Sequence, residues 1–256
     1  MKSLPLIANT FLSSLSLLAG EPLPERPAWS AHIAVTLGDA YWTRPGFFPT
    51  HKEGPVIQPE IGVSHLSALG NVSTYAWLNQ NLASGLSAEG THELDLGISY
   101  SSPPLVKTDA LKAGLSLHGA WWDYGIAGKL GKSHAIIEPG MWMNRIINEG
   151  TSLEAKASWV QLLGDKGSDG CMLTTSLAFP YQVSKKTSLT PTLSWIYLTG
   201  ENFYGSKKGT AHVRVVLPLT YSFDKGYSAT LGFRAQEGFN GKDDKLGGFL
   251  KLQKDF

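Results

Sequence analysis

Two short stretches of this chain combine residue type and spacing in a way that invites chemistry: His65-Leu66-Ser67 and Glu93-Leu94-Asp95. A histidine two residues from a serine puts a base and a hydroxyl on the same side of a strand, because side chains of extended backbone alternate between faces. Asn79 and Asn81 follow on the next extended stretch. Together these residues would supply nucleophile, base and orienting amide for acyl transfer. The plainer role of His65 and Ser67 is a polar turn closing a strand. Glu93 and Asp95 also share a face, where paired carboxylates could attract a hard cation. They lack the further oxygen ligands such a site needs, so neither a metal nor a cofactor is expected. The chain has no glycine loop of nucleotide-binding type, no zinc-ligand spacing and no basic aromatic patch, which sets nucleic acid aside as a partner.

What must position these groups is a repeated strand pattern. Trp29, Ala31, Ile33, Val35 and Leu37 alternate with His32, Thr36 and other small residues. Leu94, Leu96, Ile98 and Tyr100 oppose Glu93, Asp95, Gly97 and Ser99, and Leu111, Leu115, Leu117 and Trp121 oppose Lys112, Gly114, Ser116 and His118. A period of two with charge on one side only is the pleat of a β-strand. The same alternation recurs down the chain to Leu246, Leu250, Leu252 and Phe256, giving about twelve segments. Tight turns such as Ser184-Lys185-Lys186 and Asp224-Lys225-Gly226 take every second junction. Longer loops, 38–55, 80–91, 122–132, 164–170, 199–209 and 237–244, take the others. Alternately short and long connections belong to an up-and-down barrel with periplasmic turns and extracellular loops.

Composition decides which face is outside. Charged residues are 17% of the 256, below the roughly 25% of an average soluble protein, and there are 8 tryptophans. The face opposite the apolar one is rich in Gly, Ser, Thr and Ala rather than Lys and Glu, and the apolar face ends in Trp and Tyr. That arrangement suits a wall with lipid outside, whereas a soluble β-protein would turn its apolar face inward. The fold expected is all-β: a closed antiparallel up-and-down transmembrane β-barrel of about twelve strands. Residues 1–20 read as a secretory signal peptide, with Lys2 before an apolar, Ser-rich run ending at Ala19-Gly20, and residues 21–256 as one barrel domain. The expected location is the outer membrane of a Gram-negative-type bacterium, among its lipids. With 22 basic and 21 acidic residues the net charge is +1, so no long-range field selects a partner. Cys171 is the single cysteine and forms no intramolecular disulfide.

The final strand resembles the C-terminal signature of bacterial outer-membrane β-barrels, which alternates apolar residues up to a terminal Phe. The resemblance implies that the barrel-assembly machinery reads Phe256. Within that class, residues 55–82, with Gln58-Pro59 and Trp77-x-Asn79, followed by Glu93-x-Asp95, are similar to the early strands of the TorF-like porin family. That likeness covers roughly residues 55–120 and implies barrel and location more than substrate. The His-x-Ser pair followed by Asn resembles outer-membrane phospholipase A, also a twelve-stranded barrel. Here Ala68 and Leu69 stand where that family's motif continues with Asn and Gly, and His65 and Ser67 fall at a periplasmic turn.

Extending the alternation inward gives the residues expected to line a lumen. Glu60, Glu93, Asp95 and Glu154 come from the first half, with Lys112 among them, and Arg214, Arg234 and Lys251 from the second. Gln58, Glu138, Lys156, Gln253 and the histidines 118, 134 and 212 share that face. About twelve strands enclose a lumen between the filled eight-stranded barrel and the large porins. Acids on one wall and bases on the other would orient small polar solutes, or pair with one another and close the lumen. The expected function is passive diffusion of small hydrophilic solutes, not catalysis. The alternatives are a barrel enzyme of phospholipase A type, and a surface barrel whose loops 51–54 and 200–209 bind a partner.

Overall fold

The computed structural model describes residues 28–40, 54–82, 93–123, 133–148, 151–163, 171–200, 208–239 and 244–256. Residues 1–20, expected to be a signal peptide, and most of the long loops, including 51–53 and 201–207, lie outside the described residues. No described helix is long and apolar enough to cross a membrane.

The strands are β1 (Ala28–Gly38), β2 (Val56–Ser67), β3 (Gly70–Asn81), β4 (Glu93–Ser101), β5 (Val106–Lys107), β6 (Leu111–Asp123), β7 (Ser133–Asn148) and β8 (Thr151–Leu163). They continue with β9 (Met172–Ala178), β10 (Tyr181–Ser184), β11 (Thr187–Leu189), β12 (Thr192–Leu198), β13 (Gly209–Ser222), β14 (Tyr227–Gly238) and β15 (Lys245–Asp255). Every pairing is antiparallel, and β1 pairs with β15 from His32↔Asp255 to Gly38↔Phe249, so the sheet closes on itself. The backbone bonds Phe256 N–H to Ala31 O and Ala31 N–H to Phe256 O carry that closing seam to the last residue. Closure leaves no unpaired edge, which is the condition for strands to stand in lipid.

The expectation of about twelve strands holds as a closed twelve-strand wall: β9 with β10, and β11 with β12, each form one wall strand, and β5 is a short pairing beside β6. The alternation expected for residues 172–183 and 187–198 runs on, with Phe179, Tyr181 and Val183 all exposed, but the strand ladder is interrupted at two points. Prolines cause both breaks. Phe179 donates to Pro191 O, Ser152 to Pro180 O and Thr190 to Pro218 O, and in none of the three can proline return the bond. Thr190 O receives the Thr192 hydroxyl instead, at 3.2 Å.

Strands of about twelve residues, tilted as in such barrels, rise about 30 Å, enough for an apolar band about 25 Å tall. The outward side chains form that band: Ile33, Ile61, Ile98, Leu117, Leu217 and Leu231 are all exposed. Aromatics stand at both ends of it. Trp29, Tyr100, Tyr181, Tyr221, Tyr227 and Phe256 ring the end carrying the short turns and the termini, and Trp121, Trp159, Trp195 and Phe239 lie toward the end carrying the long loops. Their amphipathic rings suit the headgroup level.

Candidate functional site: the inner wall

Burial alternates along each strand and identifies the inward face. Even-numbered residues point in on β1, β2, β6, β7, β8, β9, β12 and β14, and odd-numbered ones on β3, β4 and β15. On β13 the bulge opposite Ile196 and Tyr197 lets both Ala211 and His212 turn inward, after which even numbers continue. All eight residues expected to face a lumen lie on this inner side. Glu60, Glu93, Glu154 and Lys251 are buried, while Asp95, Lys112, Arg214 and Arg234 keep partial exposure. The side chain of His134 lies outside the described residues.

Round the ring the charges segregate. Glu60 is on β2, Glu93 and Asp95 on β4, Glu138 on β7 and Glu154 on β8. Arg214, Arg234 and Lys251 follow one another on β13, β14 and β15. From β4 to β13 there are six places in either direction, so the strand bearing Glu93 and Asp95 stands across the ring from the strand bearing Arg214. The separation is not complete: Lys112 and Lys156 sit among the acids, and Asp255, bonded to Gln253, sits at the turn end of basic β15.

Register shows what each charge meets. Thr230, Lys251, Thr36 and Gln58 are successive cross-strand partners, Gln58 bonds Asn79, and Asn79 pairs with Glu93, a polar row crossing six strands. Gln58 Nε2 donates to Asn79 Oδ1 at 3.0 Å. The next inward row sets Glu60 and Asp95 on either side of Trp77. His32 Nε2 stands 2.7 Å from Glu60 Oε1. At the turn end, Lys112, Asn144 and Glu154 are cross-strand partners, and Asn144 Nδ2 donates to Glu154 Oε1 at 3.5 Å. Glu138, 1% exposed, accepts from the Ser158 hydroxyl and lies 3.8 Å from Lys156 Nζ. Arg214 Nε and Nη2 both donate to Gln236 Oε1, at 3.1 and 2.7 Å. Buried charge is tolerable only with such partners.

Inward rings lie on glycines of the neighbouring strand. A Cβ on Gly62 would come within 3.0 Å of His32 Nδ1, one on Gly97 within 2.7 Å of Tyr75 Oη, one on Gly114 within 2.6 Å of Trp142 Cζ2, and one on Gly232 within 2.7 Å of Phe249 Cδ1. Glycine's missing side chain thus gives each ring a seat along the wall. Tyr75 is held further by His118: the rings stack at 5.9 Å, Tyr75 Oη is 3.4 Å from Nε2, and Ser99 Oγ is 2.8 Å from Nδ1.

One feature of the wall departs from the polar lining that the alternation implies. Toward the loop end, Trp122, Ile136, Leu162, Met172, Ile196 and Leu198 all turn inward and form one buried cluster with Ala120, Val160 and Ala211. Val160, Met172 and Leu198 are 0% exposed. The sequence holds a faint sign of this, since β9 and β12 end on apolar residues of both parities, but such ends do not say which side of the wall they occupy.

The Ser-His-Asn arrangement is not assembled. Ser67 caps the β2–β3 turn, its hydroxyl donating to Gly70 O at 3.3 Å. His65 points outward against Trp29, with ring centres 4.4 Å apart. Asn79 and Asn81 point inward at the far end of β3, about 30 Å away along the strand. Among the described residues no group of three or more His, Cys, Asp or Glu side chains could hold a metal ion.

No family model and no curated protein matches this sequence. Solved structures do match the fold. The COG4313 outer membrane channel from Pseudomonas putida F1 aligns with TM-score 0.58 and 11% identity over 93% of this chain and 100% of that one. The NanC porin gives 0.57 and 9% over 90% and 99%, and the KdgM porin 0.55 and 11% over 89% and 99%. At such identity the likeness speaks for the fold, and it does not single out the TorF-like family. The chain has the fold of outer-membrane porins.

Proposed function

We propose that this chain is an outer-membrane channel of a Gram-negative-type bacterium through which small hydrophilic solutes pass by diffusion. The observation that carries the reading is the uneven placing of inward charge, with most acids between β2 and β8, where Lys112 and Lys156 join them, and Arg214, Arg234 and Lys251 on β13 to β15, around a twelve-strand wall. Such a wall sets a field across the lumen that orients dipolar solutes and filters ions. In this reading Glu60, Glu93, Asp95, Lys112, Glu154, Arg214, Arg234 and Lys251 line the path as field-setting groups. The family-level reading, a TorF-like porin, draws on the early-strand motifs. Residues 1–20 direct export, residues 21–256 form the barrel, the exposed apolar band meets outer-membrane lipid, and Phe256 is read by the assembly machinery.

The test is single-channel recording of the refolded protein in a planar bilayer under a salt gradient. Discrete conductance steps are expected, with Arg214→Ala moving the reversal potential toward cation preference and Glu93→Ala toward anion preference. A folded barrel that passes no current would overturn the reading.

A further inference from the structure

We infer that Phe249, on β15, is a specificity-determining residue: its ring fixes the Arg234 guanidinium against the inner wall and so sets how far that charge reaches into the lumen. The inference rests on the channel reading above. Phe249 is a large apolar side chain on a face that otherwise carries Lys245, Gly247, Lys251, Gln253 and Asp255, and it is buried. Its cross-strand partner on β14 is Gly232. A Cβ on Gly232 would lie 2.7 Å from Phe249 Cδ1 and closer still to Cε1 and Cζ, so only glycine leaves room for the ring there. The next inward residue of β14 is Arg234, whose Cζ stands 4.3 Å from the ring centre. The ring is thus held between the Gly232 backbone and a guanidinium, a geometry in which the aromatic face attracts the cation.

The surroundings give that position a consequence. Arg214, on β13, is tied to Gln236, and Gln236 is the inward residue following Arg234 on β14. The two arginines lie within Coulombic reach of each other, and Asp39 at the loop end of β1 acts on Arg234 as well. An unstacked Arg234 would swing on its flexible stem, away from Arg214 or toward Asp39. The ring therefore helps set the spacing at which the basic wall presents its two guanidinium groups. A purely space-filling Phe249 would be replaced by leucine without effect on Arg234.

The experiment compares wild type, Phe249→Leu, Phe249→Tyr and Arg234→Gln, each first shown to be folded by heat-modifiable migration on gels. Two readouts are taken: the reversal potential in a salt gradient, and the side-chain Nε–Hε signal of Arg234 in 15N-arginine-labelled protein in micelles, assigned by its loss in Arg234→Gln. In wild type that proton is expected upfield, as a ring face imposes. Phe249→Leu should remove the upfield shift and change the ion permeability ratio by about two-fold or more, in the direction Arg234→Gln changes it. Phe249→Tyr should restore both. An Arg234 signal unmoved by Phe249→Leu overturns the inference whether or not current flows. An ion preference kept by Phe249→Leu but lost in Arg234→Gln overturns it too. Absence of current in every protein, with the signal shifted as expected, defeats the channel reading alone and leaves the positioning role standing.

Discussion

Gly97 and Gly119 sit on the paired strands β4 and β6, one register step apart and on opposite faces, so one substitution made at each isolates the effect of the inner wall. An added methyl at Gly119 points to the lipid side and meets nothing nearer than Ile136 O at 3.7 Å and Ile98 Cγ2 at 3.8 Å. An added methyl at Gly97 would stand 2.7 Å from Tyr75 Oη and closer to the ring carbons, so the ring must retreat by at least about 0.7 Å. Tyr75 can retreat only by disturbing its stacking on His118 and its hydroxyl contact at 3.4 Å. Overpacking of this kind costs about 1–3 kcal/mol, and loss of the hydroxyl contact about 0.5–1.5 kcal/mol more. Gly97→Ala is therefore expected to destabilise the barrel by about 2–4 kcal/mol, and Gly119→Ala to change it by no more than about 0.5 kcal/mol, with a slight gain in chain stiffness. Urea unfolding in phospholipid vesicles, followed by tryptophan fluorescence, measures the difference. In a conducting barrel the dislodged ring would also lower the unit conductance of Gly97→Ala. Equal unfolding midpoints for the two variants would refute the idea that glycine seats hold the inward rings.

Glu138→Ala removes the acceptor of Ser158 and leaves Lys156, 15% exposed, without that carboxylate; a loss of about 2–3 kcal/mol is expected in the same unfolding assay, and a smaller one for Glu138→Gln. Thr192→Val takes the hydroxyl from Thr190 O and should cost about 1–2 kcal/mol, whereas adding Pro218→Ala, which restores a backbone donor, should recover much of it in a double-mutant cycle. The Lys186–Asp224 pair joins two turns at 3.0 Å in full view of water; its hydrogen bond to Asp224 raises the lysine pKa, so any contribution is present below pH 10.5 and fades as pH rises beyond it. Asp224→Asn is nevertheless expected to leave the unfolding midpoint unmoved at neutral pH, because water screens so exposed a pair. Cys171, 0% exposed, should resist a hydrophilic maleimide in the folded protein and react once urea opens the barrel.

The sequence by itself determined the wall. Period-two alternation with Gly, Ser and Thr opposite Leu, Ile and Trp needs no knowledge of partners, since the pleat sorts neighbouring residues to opposite faces whatever lies beside them. Strand number, the alternation of short turns with long loops, and the inward placement of Glu60, Glu93, Asp95 and Arg234 follow from that local rule. The alternation did not show the breaks at Pro180 and Pro191, which arise from proline's missing donor, nor their lying in adjacent strands with Pro218 opposite. Everything that depends on which residues become cross-strand neighbours was decided by the closed sheet: the row from Lys251 to Glu93, the facing of β4 and β13, the seats that Gly97 and Gly232 give to Tyr75 and Phe249, and the separation of His65 and Ser67 from Asn79. Register and closure arise from pairings between segments far apart in the chain, here as far as His32 with Asp255, and no local pattern encodes them. The same holds for the apolar cluster around Leu198. An apolar strand end looks alike in sequence whether it meets lipid or the barrel interior, and only the parity carried through the folded strand assigned it to the inside.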